Sequence, residues 1–349
     1  MSGEMYDDTV VVRDQKEGSQ LHNRGSFGYP LSGGGLELDL IEATFLTQLG
    51  RLEVFREGHR LQFPEIFHRS AALVQEFDIK YLVYSELRGR GFVVKPNVGD
   101  YDLRVYPRGE TPARSSEKYW VKAVSERSKF DITEFFRLLS TLKGNGRELV
   151  YAVVDEEGDI TYYAVSYRVP RSKCDMSIPD ELCQGSLIQD RVFVFDSEQA
   201  EVLMAAGMFG KKMGNVLQLS IIESAYLISK GALEVSSVDG PMTFEDILAF
   251  GEAFQDEFSL RKDTYFHLRD QGLIVKTGFK YGTHFRMYED DPDKCHARYL
   301  VHATSSDKGT SWPEISRAVR LAHGVKKEIM FSMVGEKGIE LLGFRRIRP

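Results

Sequence analysis

Tyr84-Ser-Glu-Leu-Arg-Gly-Arg-Gly-Phe-Val-Val-Lys95 is followed, 181 residues later, by the related stretch Tyr265-Phe-His-Leu-Arg-Asp-Gln-Gly-Leu-Ile-Val-Lys276. The correspondence continues outward from this stretch at a nearly constant offset, and residues 36–46 match residues 217–227 in the same way. Chance does not produce such an ordered series of matches. The 349-residue chain is therefore predicted to be a tandem duplication.

Each copy divides into two subdomains. In the first, Asp39 and Ser220 precede apolar residues at helical spacing, where a helix N-cap belongs. Gly50 and Gly231 follow the same segments, at the place where a glycine ends a helix. In the second subdomain, a helix precedes several short runs rich in β-branched and aromatic residues, which are typical of strands. The sequence predicts an α+β (mixed α/β) fold in which each copy has a small α/β N-terminal subdomain and an α/β C-terminal subdomain.

The bulk composition excludes several classes of protein. Hydrophobic residues make up 42% of the chain and charged residues 28%, which is ordinary for a globular protein. No apolar run approaches the roughly 18–20 residues of a membrane span, so we expect no membrane association. Cys174, Cys183 and Cys295 make no disulfide framework, which favours a reducing compartment and predicts a cytoplasmic protein.

The net charge of −7 is unevenly distributed. Residues 261–349 carry 17 Lys and Arg against 11 Asp and Glu, a surplus of +6, so the remaining residues carry −13. Five of the eight histidines also lie in this last quarter. A basic segment on an acidic body indicates a surface that faces a polyanion, although ordinary drift of surface charge would give the same composition.

The basic segment contains a phenol, an imidazole and an ammonium, which are the functional groups needed to cleave RNA without a metal ion. Attack by a 2′-hydroxyl needs a base for the 2′ proton, an acid for the departing 5′ oxygen and a cation for the phosphate charge. Tyr288, His296 and Lys327 are the candidate catalytic residues. An unperturbed tyrosine has a pKa near ~10, so Tyr288 needs a cationic neighbour or a concerted proton transfer, and we expect Lys327 to be that neighbour.

The first copy retains only part of this set. Tyr106 corresponds to Tyr288, and Arg147 corresponds to Lys327. Ser116 stands at the position of His296, so the first copy has no imidazole there. Each of these groups alone is common on an ordinary strand or helix surface, so the argument depends on their joint arrangement. We expect the first copy to be catalytically inert and the second to be active.

The second copy resembles the archaeal tRNA-splicing endonuclease family. The resemblance rests on Gly278-Phe-Lys-Tyr-Gly282, on His296-Ala-Arg-Tyr-Leu-Val-His302 and on Arg317-Ala-Val-Arg-Leu-Ala-His-Gly-Val-Lys-Lys327. A tandem chain whose first copy lacks the histidine is similar to the two-unit form of this family, which works as a homodimer. The resemblance implies a restriction-endonuclease-like C-terminal subdomain, with Tyr288 as general base, His296 as general acid and Lys327 as transition-state stabiliser.

The same resemblance implies the substrate and its contacts. The substrate would be precursor tRNA, cut at a bulge-helix-bulge to leave a 2′,3′-cyclic phosphate and a 5′-hydroxyl. Arg320 and Arg346 would bind RNA by stacking on a flipped bulge base. The family also docks an acidic loop of an inactive unit into a basic pocket of an active one. Here that loop would contain four acidic residues: Asp155, Glu156, Glu157 and Asp159.

Other functions remain open from the residues alone. The run Glu289-Asp290-Asp291-Pro292-Asp293 is acidic enough to attract a divalent cation in a metal-dependent nuclease, although a solvated turn is the expected structure. A non-catalytic RNA-binding or structural subunit is the alternative from another class. The sequence predicts no metal site and no small-molecule cofactor.

The predicted domain boundaries follow from the duplication. The segment 170–192 contains two prolines and no clear periodicity, which is typical of a linker, and the first ~20 residues are expected to be mobile. The complete division is an N-terminal subdomain at 1–80, a degenerate nuclease-like subdomain at 81–169, the linker at 170–192, a second N-terminal subdomain at 193–260 and the catalytic subdomain at 261–349.

Overall fold

The structure is a computed structural model that describes residues 1–142, 147–174, 176–305, 310–335 and 338–349, without the side chains of residues 132 and 133. The chain divides into two compact units. The first unit comprises Met1–Ser166, Gly309–Ser316 and Arg345–Pro349, and the second comprises Tyr167–Lys308 and Arg317–Phe344.

The first repeat contains the following elements in chain order: β1 (Ser2–Met5), β2 (Thr9–Val12), α1 (Gln15–Gly25), β3 (Tyr29–Pro30), β4 (Leu36–Asp39), α2 (Leu40–Gln48), β5 (Glu53–Arg56), β6 (His59–Leu61), α3 (Phe63–Leu73), α4 (Phe77–Gly89), β7 (Val94–Pro96), β8 (Leu103–Val105), β9 (Tyr119–Ser125), β10 (Lys129–Phe130), α5 (Ile132–Leu142), β11 (Glu148–Val154) and β12 (Ile160–Tyr167).

The second repeat presents the same succession: β13 (Cys183–Ile188), β14 (Arg191–Val194), α6 (Ser197–Gly207), β15 (Lys211–Met213), β16 (Val216–Ser220), α7 (Ile221–Ser229), β17 (Leu233–Ser237), β18 (Gly240–Met242), α8 (Phe244–Phe254), α9 (Phe258–Asp270), β19 (Ile274–Thr277), a 3-10 turn (Phe279–Tyr281), β20 (Phe285–Tyr288), β21 (Tyr299–Ser305), β22 (Thr310–Ser311), α10 (Trp312–Gly324), β23 (Glu328–Gly335) and β24 (Gly338–Ile347).

Two sheets organise the first unit. The N-terminal sheet has the order β3-β4-β2-β1-β5-β6, and within it β1 and β5 run parallel. The C-terminal strands follow the order β12-β11-β9-β8-β7, with β9 and β11 parallel. Leu149 to Val154 of β11 are all buried, because a strand covered on both faces requires an unbroken apolar run.

The second unit repeats this arrangement. Its N-terminal sheet has the order β15-β16-β14-β13-β17-β18, with β13 and β17 parallel. Its C-terminal strands follow the order β19-β20-β21-β23-β24, with β21 and β23 parallel. The mixed α/β class and the tandem duplication are therefore confirmed.

Local sequence signals explain the helix that follows each central hairpin. Asp39 accepts a hydrogen bond from the Ile41 amide at the start of α2. Ser220 forms a capping box with Glu223 at the start of α7, so both predicted N-caps are present. Gly50 has φ +67° and ends the α2 turn in the left-handed conformation that glycine adopts readily.

An ion pair connects the two subdomains within each repeat, and it is buried in the first repeat and partly buried in the second. Lys95 of β7 donates to Glu42 of α2 at 2.8 Å and to the Gly28 carbonyl at 2.9 Å. In the second repeat, Lys276 of β19 lies 3.5 Å from Glu223 and donates to the Gly210 carbonyl at 2.7 Å. Burial lowers the pKa of both lysines, and the facing carboxylate opposes that shift.

The structure differs from the sequence-based expectations at two segments. The first 20 residues were expected to be mobile, but they contain β1, β2 and the start of α1. The interval 170–192 was predicted to be a linker, but β13 lies within it and is central to its sheet. The prediction missed this strand because Cys183–Ile188 shows no clear alternation of apolar and polar residues. Only Cys183 and Gly185 of the strand are buried, so burial required few large apolar side chains. Among the described helices, none combines the length and apolar character that a membrane span requires.

Candidate active site

Tyr288 is held at the end of β20. It pairs with Ile274 of β19, and its side chain is 7% exposed. The ring belongs to a small apolar cluster with Ile274 and Ala297. Tyr288 also lines a cavity of about 550 Å³ in the second unit. The sheet therefore fixes the ring while one side of it remains accessible.

Lys327 lies just beyond the end of α10. The helix ends at Gly324, and Lys326 takes the left-handed conformation with φ +55°. The Lys327 amide then donates to the Ala322 carbonyl at 2.9 Å, which closes the helix end. The Lys327 ammonium donates to the carbonyl oxygen of Ala297 at 2.6 Å. The turn after the helix thus places this cation beside the loop that precedes β21.

His296 directly precedes Ala297, which shares an apolar cluster with Tyr288 and accepts a hydrogen bond from Lys327. Its side chain is exposed in the loop between β20 and β21 and makes no hydrogen bond to another residue within the described ranges. Tyr288 and Ala297 belong to one apolar cluster, and Lys327 donates to the carbonyl of Ala297. The structure therefore places all three predicted residues around the loop that contains Ala297.

The cation near Tyr288 is Arg286 rather than the expected Lys327. Burial raises the pKa of Tyr288, and the Arg286 guanidinium, 5.7 Å from the ring centroid, opposes this shift. The Lys327 ammonium lies instead 5.5 Å from the centroid of the Tyr281 ring. The expectation from sequence was wrong because Arg286 and Tyr288 are two residues apart in β20, so their side chains lie on the same face of the sheet. The Lys327 ammonium instead binds the Ala297 carbonyl in the neighbouring loop.

Sequence analysis missed Tyr281 as a member of this site. Slight burial would raise its pKa, but a hydrogen bond from Lys280 and the charges of Lys280, Lys327 and Arg286 lower it overall. The signal was available in Gly278-Phe-Lys-Tyr-Gly282, where a lysine separates two aromatic residues in a turn bounded by glycines.

The corresponding place in the first repeat is neutralised by a carboxylate. Glu117 lies 2.8 Å from Arg147 and accepts a hydrogen bond from the Tyr106 hydroxyl at 3.5 Å. Glu117 occupies the position of Ala297, and the exposed Ser116 occupies that of the histidine. The first repeat therefore lacks the imidazole and also pairs its remaining cation.

The carboxylates in the acidic run after β20 pair with nearby side chains. Glu289 binds Arg298 at 3.1 Å, and Asp291 binds Lys294 at 3.0 Å. Asp290 accepts from the Cys174 thiol at 3.4 Å. Within the described ranges, no group of three or more His, Cys, Asp or Glu side chains is placed to hold a metal ion.

The two arginines predicted to bind RNA belong to different units. Arg320 is exposed on α10 in the second unit, whereas Arg346 is exposed near the end of β24 in the part assigned to the first unit. Neither guanidinium is engaged by another residue in the part of the chain that the structure describes. Both side chains are accessible, and their role stays a prediction.

The predicted docking loop, residues 155–159, connects β11 to β12. The Asp155 carboxylate accepts hydrogen bonds from the amides of Glu157 and Asp159, so Asp155 shapes the turn. Glu156 pairs with Arg127. The carboxylates of Glu157 and Asp159 are exposed and have no partner among the described residues. The corresponding loop in the second repeat includes residues 336 and 337, which lie outside the described residues.

The cavity beside Tyr288 is rich in basic side chains. Five basic residues line it: Lys211, Arg261, Lys276, His284 and Arg286. Glu223 also lines it and is paired with Lys276. The Nε atom of Arg286 is buried and has no hydrogen-bond partner among the described residues. The cavity therefore has a positive excess that suits an anionic group.

Comparison with known families matches both repeats. The model of the tRNA intron endonuclease catalytic C-terminal domain matches residues 77–162 and 258–341. The model of the tRNA intron endonuclease N-terminal domain matches residues 1–67 and 183–248. Each domain type thus occurs twice in the chain.

Full-length relatives agree with this assignment. The chain is 37% identical over 356 aligned residues to the tRNA-splicing endonuclease of Methanococcoides burtonii, with 100% of both chains covered. It is 35% identical to the tRNA-splicing endonuclease of Methanosarcina acetivorans, with 97% of both covered. It is 34% identical to that of Halobacterium salinarum, with 100% of both covered. The chain therefore belongs to the tRNA intron endonuclease family, as the resemblance predicted, and is an endonuclease.

Proposed function

We propose that this protein excises introns from precursor tRNA by metal-independent attack of the 2′-hydroxyl at a bulge-helix-bulge. The observation that carries the proposal is the convergence of Tyr288 and Lys327 on Ala297, next to the exposed His296. The relatives are named tRNA-splicing endonucleases, which suggests the substrate.

The three side chains divide the reaction among them. The 2′ oxygen forms a bond to phosphorus while its proton passes to Tyr288, and the bond from phosphorus to the 5′ oxygen breaks. His296 supplies the proton that the leaving 5′ oxygen takes, and Lys327 stabilises the charge on the phosphate. Burial raises the pKa of Tyr288 and so favours the protonated phenol. The nearby Arg286 guanidinium opposes this shift and favours the form of Tyr288 that can accept a proton. The products carry a 2′,3′-cyclic phosphate and a 5′-hydroxyl, and no water is consumed.

The assembly follows from charge complementarity. We place the loop of residues 155–159 from one copy in the basic cavity of a second copy, which makes the protein a homodimer with two active sites. The exposed carboxylates of Glu157 and Asp159 supply the negative charge, and Lys211 and Arg286 are among the basic residues that line the cavity. Arg320 and Arg346 would contact the bulge of the bound RNA.

Two further attributes belong to the proposal. The first repeat acts as a structural copy, because the Glu117 carboxylate neutralises Arg147. At the equivalent position of the second repeat, Lys327 binds the neutral carbonyl of Ala297. The expected compartment is the cytoplasm, which agrees with three cysteines that remain free thiols.

The deciding experiment is cleavage of an intron-containing precursor tRNA by the purified protein in EDTA, with analysis of the fragment ends. A cyclic phosphate and a 5′-hydroxyl are expected. Cleavage only with Mg²⁺, leaving a 5′-phosphate, would contradict the mechanism and turn attention to the acidic run at Glu289. Absence of cleavage in both conditions would favour a non-catalytic RNA-binding subunit.

A pair of matched variants tests the division between the repeats. His296→Ala should slow cleavage by about 10²–10⁴-fold, the usual contribution of a general acid, while RNA binding is retained. Ser116→Ala, at the equivalent position of the first repeat, should change neither quantity. Single-turnover rates and fluorescence anisotropy measure the two effects, and equal losses in both variants would show that the repeats share the catalytic role.

A further inference from the structure

Phe279 presents its ring to solvent from a well-ordered turn. The side chain is 89% exposed, although it is a large aromatic residue. The Tyr281 amide donates to the Gly278 carbonyl at 2.8 Å, and the Gly282 amide donates to the Phe279 carbonyl at 3.0 Å. The Phe279 amide donates to the Thr277 hydroxyl at 3.3 Å. The backbone hydrogen bonds thus define the turn from which this aromatic ring projects into solvent.

The surroundings of this turn are positively charged. The Lys280 ammonium lies 5.0 Å from the centroid of the Tyr281 ring, and the Lys327 ammonium lies 5.5 Å from it. Slight burial would raise the pKa of Tyr281, but the hydrogen bond from Lys280 and the charges of Lys280, Lys327 and Arg286 lower it overall. The turn therefore combines an exposed ring with cations that extend to the candidate catalytic ammonium.

The turn also adjoins the helix that carries Arg320. A Cβ atom placed on Gly282 would lie 4.0 Å from Cδ1 of Leu321, the next residue on α10. The turn that carries Phe279 and Lys280 therefore lies next to the part of α10 that belongs to the second unit, which contains Arg320 and Leu321.

The first repeat shows that this exposure is not a general property of the fold. Its corresponding turn, between Lys95 and β8, is one residue shorter than the turn between Lys276 and β20. Val98 occupies the position equivalent to Phe279, and its side chain is 98% exposed. The aromatic residue there, Tyr101, stacks on Trp120 with ring centroids 4.1 Å apart. Asp100 pairs with Arg137. The inert repeat therefore uses its aromatic residue internally.

We propose that Phe279 stacks on an unpaired nucleobase of the bound RNA, while Lys280 contacts the adjacent phosphate. Stacking on an exposed ring suits any base, because each base offers a π face, and the flanking cation supplies the attraction to the backbone. Phe279 is then a positioning residue that aligns the cleaved strand with Lys327. This inference rests on the proposed function, since it assumes that RNA is the substrate.

The test uses a precursor tRNA with a 2′-deoxy nucleotide at each cleavage site, so that binding is measured without cutting. Phe279→Ala should weaken binding about tenfold in fluorescence anisotropy, within the range expected for one stacked base. Phe279→Trp should restore binding, and Phe279→Leu should not, because only the former keeps an aromatic face. Val98→Ala is the matched control in the first repeat and should bind as the wild type does.

A second readout separates stacking from a structural role. A 2-aminopurine placed in turn at each unpaired position should be quenched by the wild-type protein at one of them, and Phe279→Ala should abolish that quenching. With a cleavable substrate, Phe279→Ala should raise KM more than it lowers kcat.

Three outcomes overturn the stacking proposal: an RNA affinity of Phe279→Ala equal to that of the wild type, restoration of that affinity by Phe279→Leu, or no RNA binding by the wild type. Binding that depends on Phe279, in a wild-type protein that does not cut precursor tRNA, would support the stacking site and reject the proposed function.

Discussion

At the scale of single residues, Ala297 and Glu117 distinguish the two repeats. The position offers a backbone carbonyl to Lys327 in one repeat and a carboxylate to Arg147 in the other. An ammonium bound to a neutral carbonyl keeps its full charge for a phosphate, whereas a paired guanidinium does not. A single side chain can therefore remove electrostatic stabilisation even where a cation is retained.

This difference predicts the effect of exchanging the side chain. Ala297→Glu should pair with Lys327 and reduce the single-turnover rate of precursor tRNA cleavage by about a hundredfold, comparable to the loss of one transition-state donor. Ala297→Gln imposes a similar steric change in the same buried cluster without the charge, so it should cleave faster than Ala297→Glu. Glu117→Ala should leave cleavage unchanged. Similar rates for the Glu and Gln variants would show that steric change, rather than charge, is responsible.

At the scale of elements, the start of α2 carries an unfavourable charge. Burial raises the pKa of Asp39 to about 6, and the nearby Glu42 adds to this shift against the hydrogen bond from the Ile41 amide. An unfolded aspartate has a pKa near ~3.9. A group whose folded pKa is raised contributes its stability at low pH, and that contribution is lost as the pH rises from about 4 through about 6.

The equivalent helix α7 begins with Ser220, which suggests the variant. Asp39→Ser keeps a cap without the charge, so it should be more stable than the wild type by about 1–2 kcal/mol above pH 6, after allowance for contact with water. The difference should shrink towards pH 4.5. Urea unfolding across this pH range measures it. Asp39→Ala separates the two effects, because it also removes the charge but loses about 1 kcal/mol of capping. A difference that is independent of pH would contradict the argument.

At the scale of the whole molecule, the charge distribution supplies the two complementary surfaces that the proposed homodimer needs. The loop of residues 155–159 exposes carboxylates, and the cavity beside Tyr288 has an excess of basic groups. Since the cavity also contains Arg286, docking of the loop would place negative charge near the cation that faces Tyr288. Assembly and catalysis would then depend on the same guanidinium.

The docking proposal predicts a charge exchange. Replacing both Glu157 and Asp159 by Lys should weaken the dimer at least tenfold in sedimentation equilibrium and reduce cleavage in parallel. Adding Lys211→Glu to the cavity should recover part of the affinity, and high salt should weaken the wild-type dimer because the contact is electrostatic. A wild-type protein that is monomeric at micromolar concentration, or a loop variant with unchanged affinity, would rule out this interface.

The sequence alone was sufficient for the duplication, the fold class and the family. Repeated segments, helix caps such as Asp39 and Ser220, and terminal glycines are local signals that can be read in order along the chain. Tyr288, His296 and Lys327 were selected as candidates by their chemistry and by the family resemblance, and their catalytic role stays a prediction. Comparison of the two copies added that the first copy keeps a tyrosine and a cation at the equivalent positions but has Ser116 in place of the histidine.

Only the tertiary structure decided which groups are neighbours. Arg286, not Lys327, faces Tyr288, and Glu117 neutralises Arg147. β13 is an integral strand of its sheet although its sequence lacks a clear apolar pattern. Strand register and the ends of helices bring together residues that are distant along the chain, and the short-range periodicity of a sequence carries no information about such pairs. The electrostatics of the site therefore became visible only when the strands and loops were placed in space.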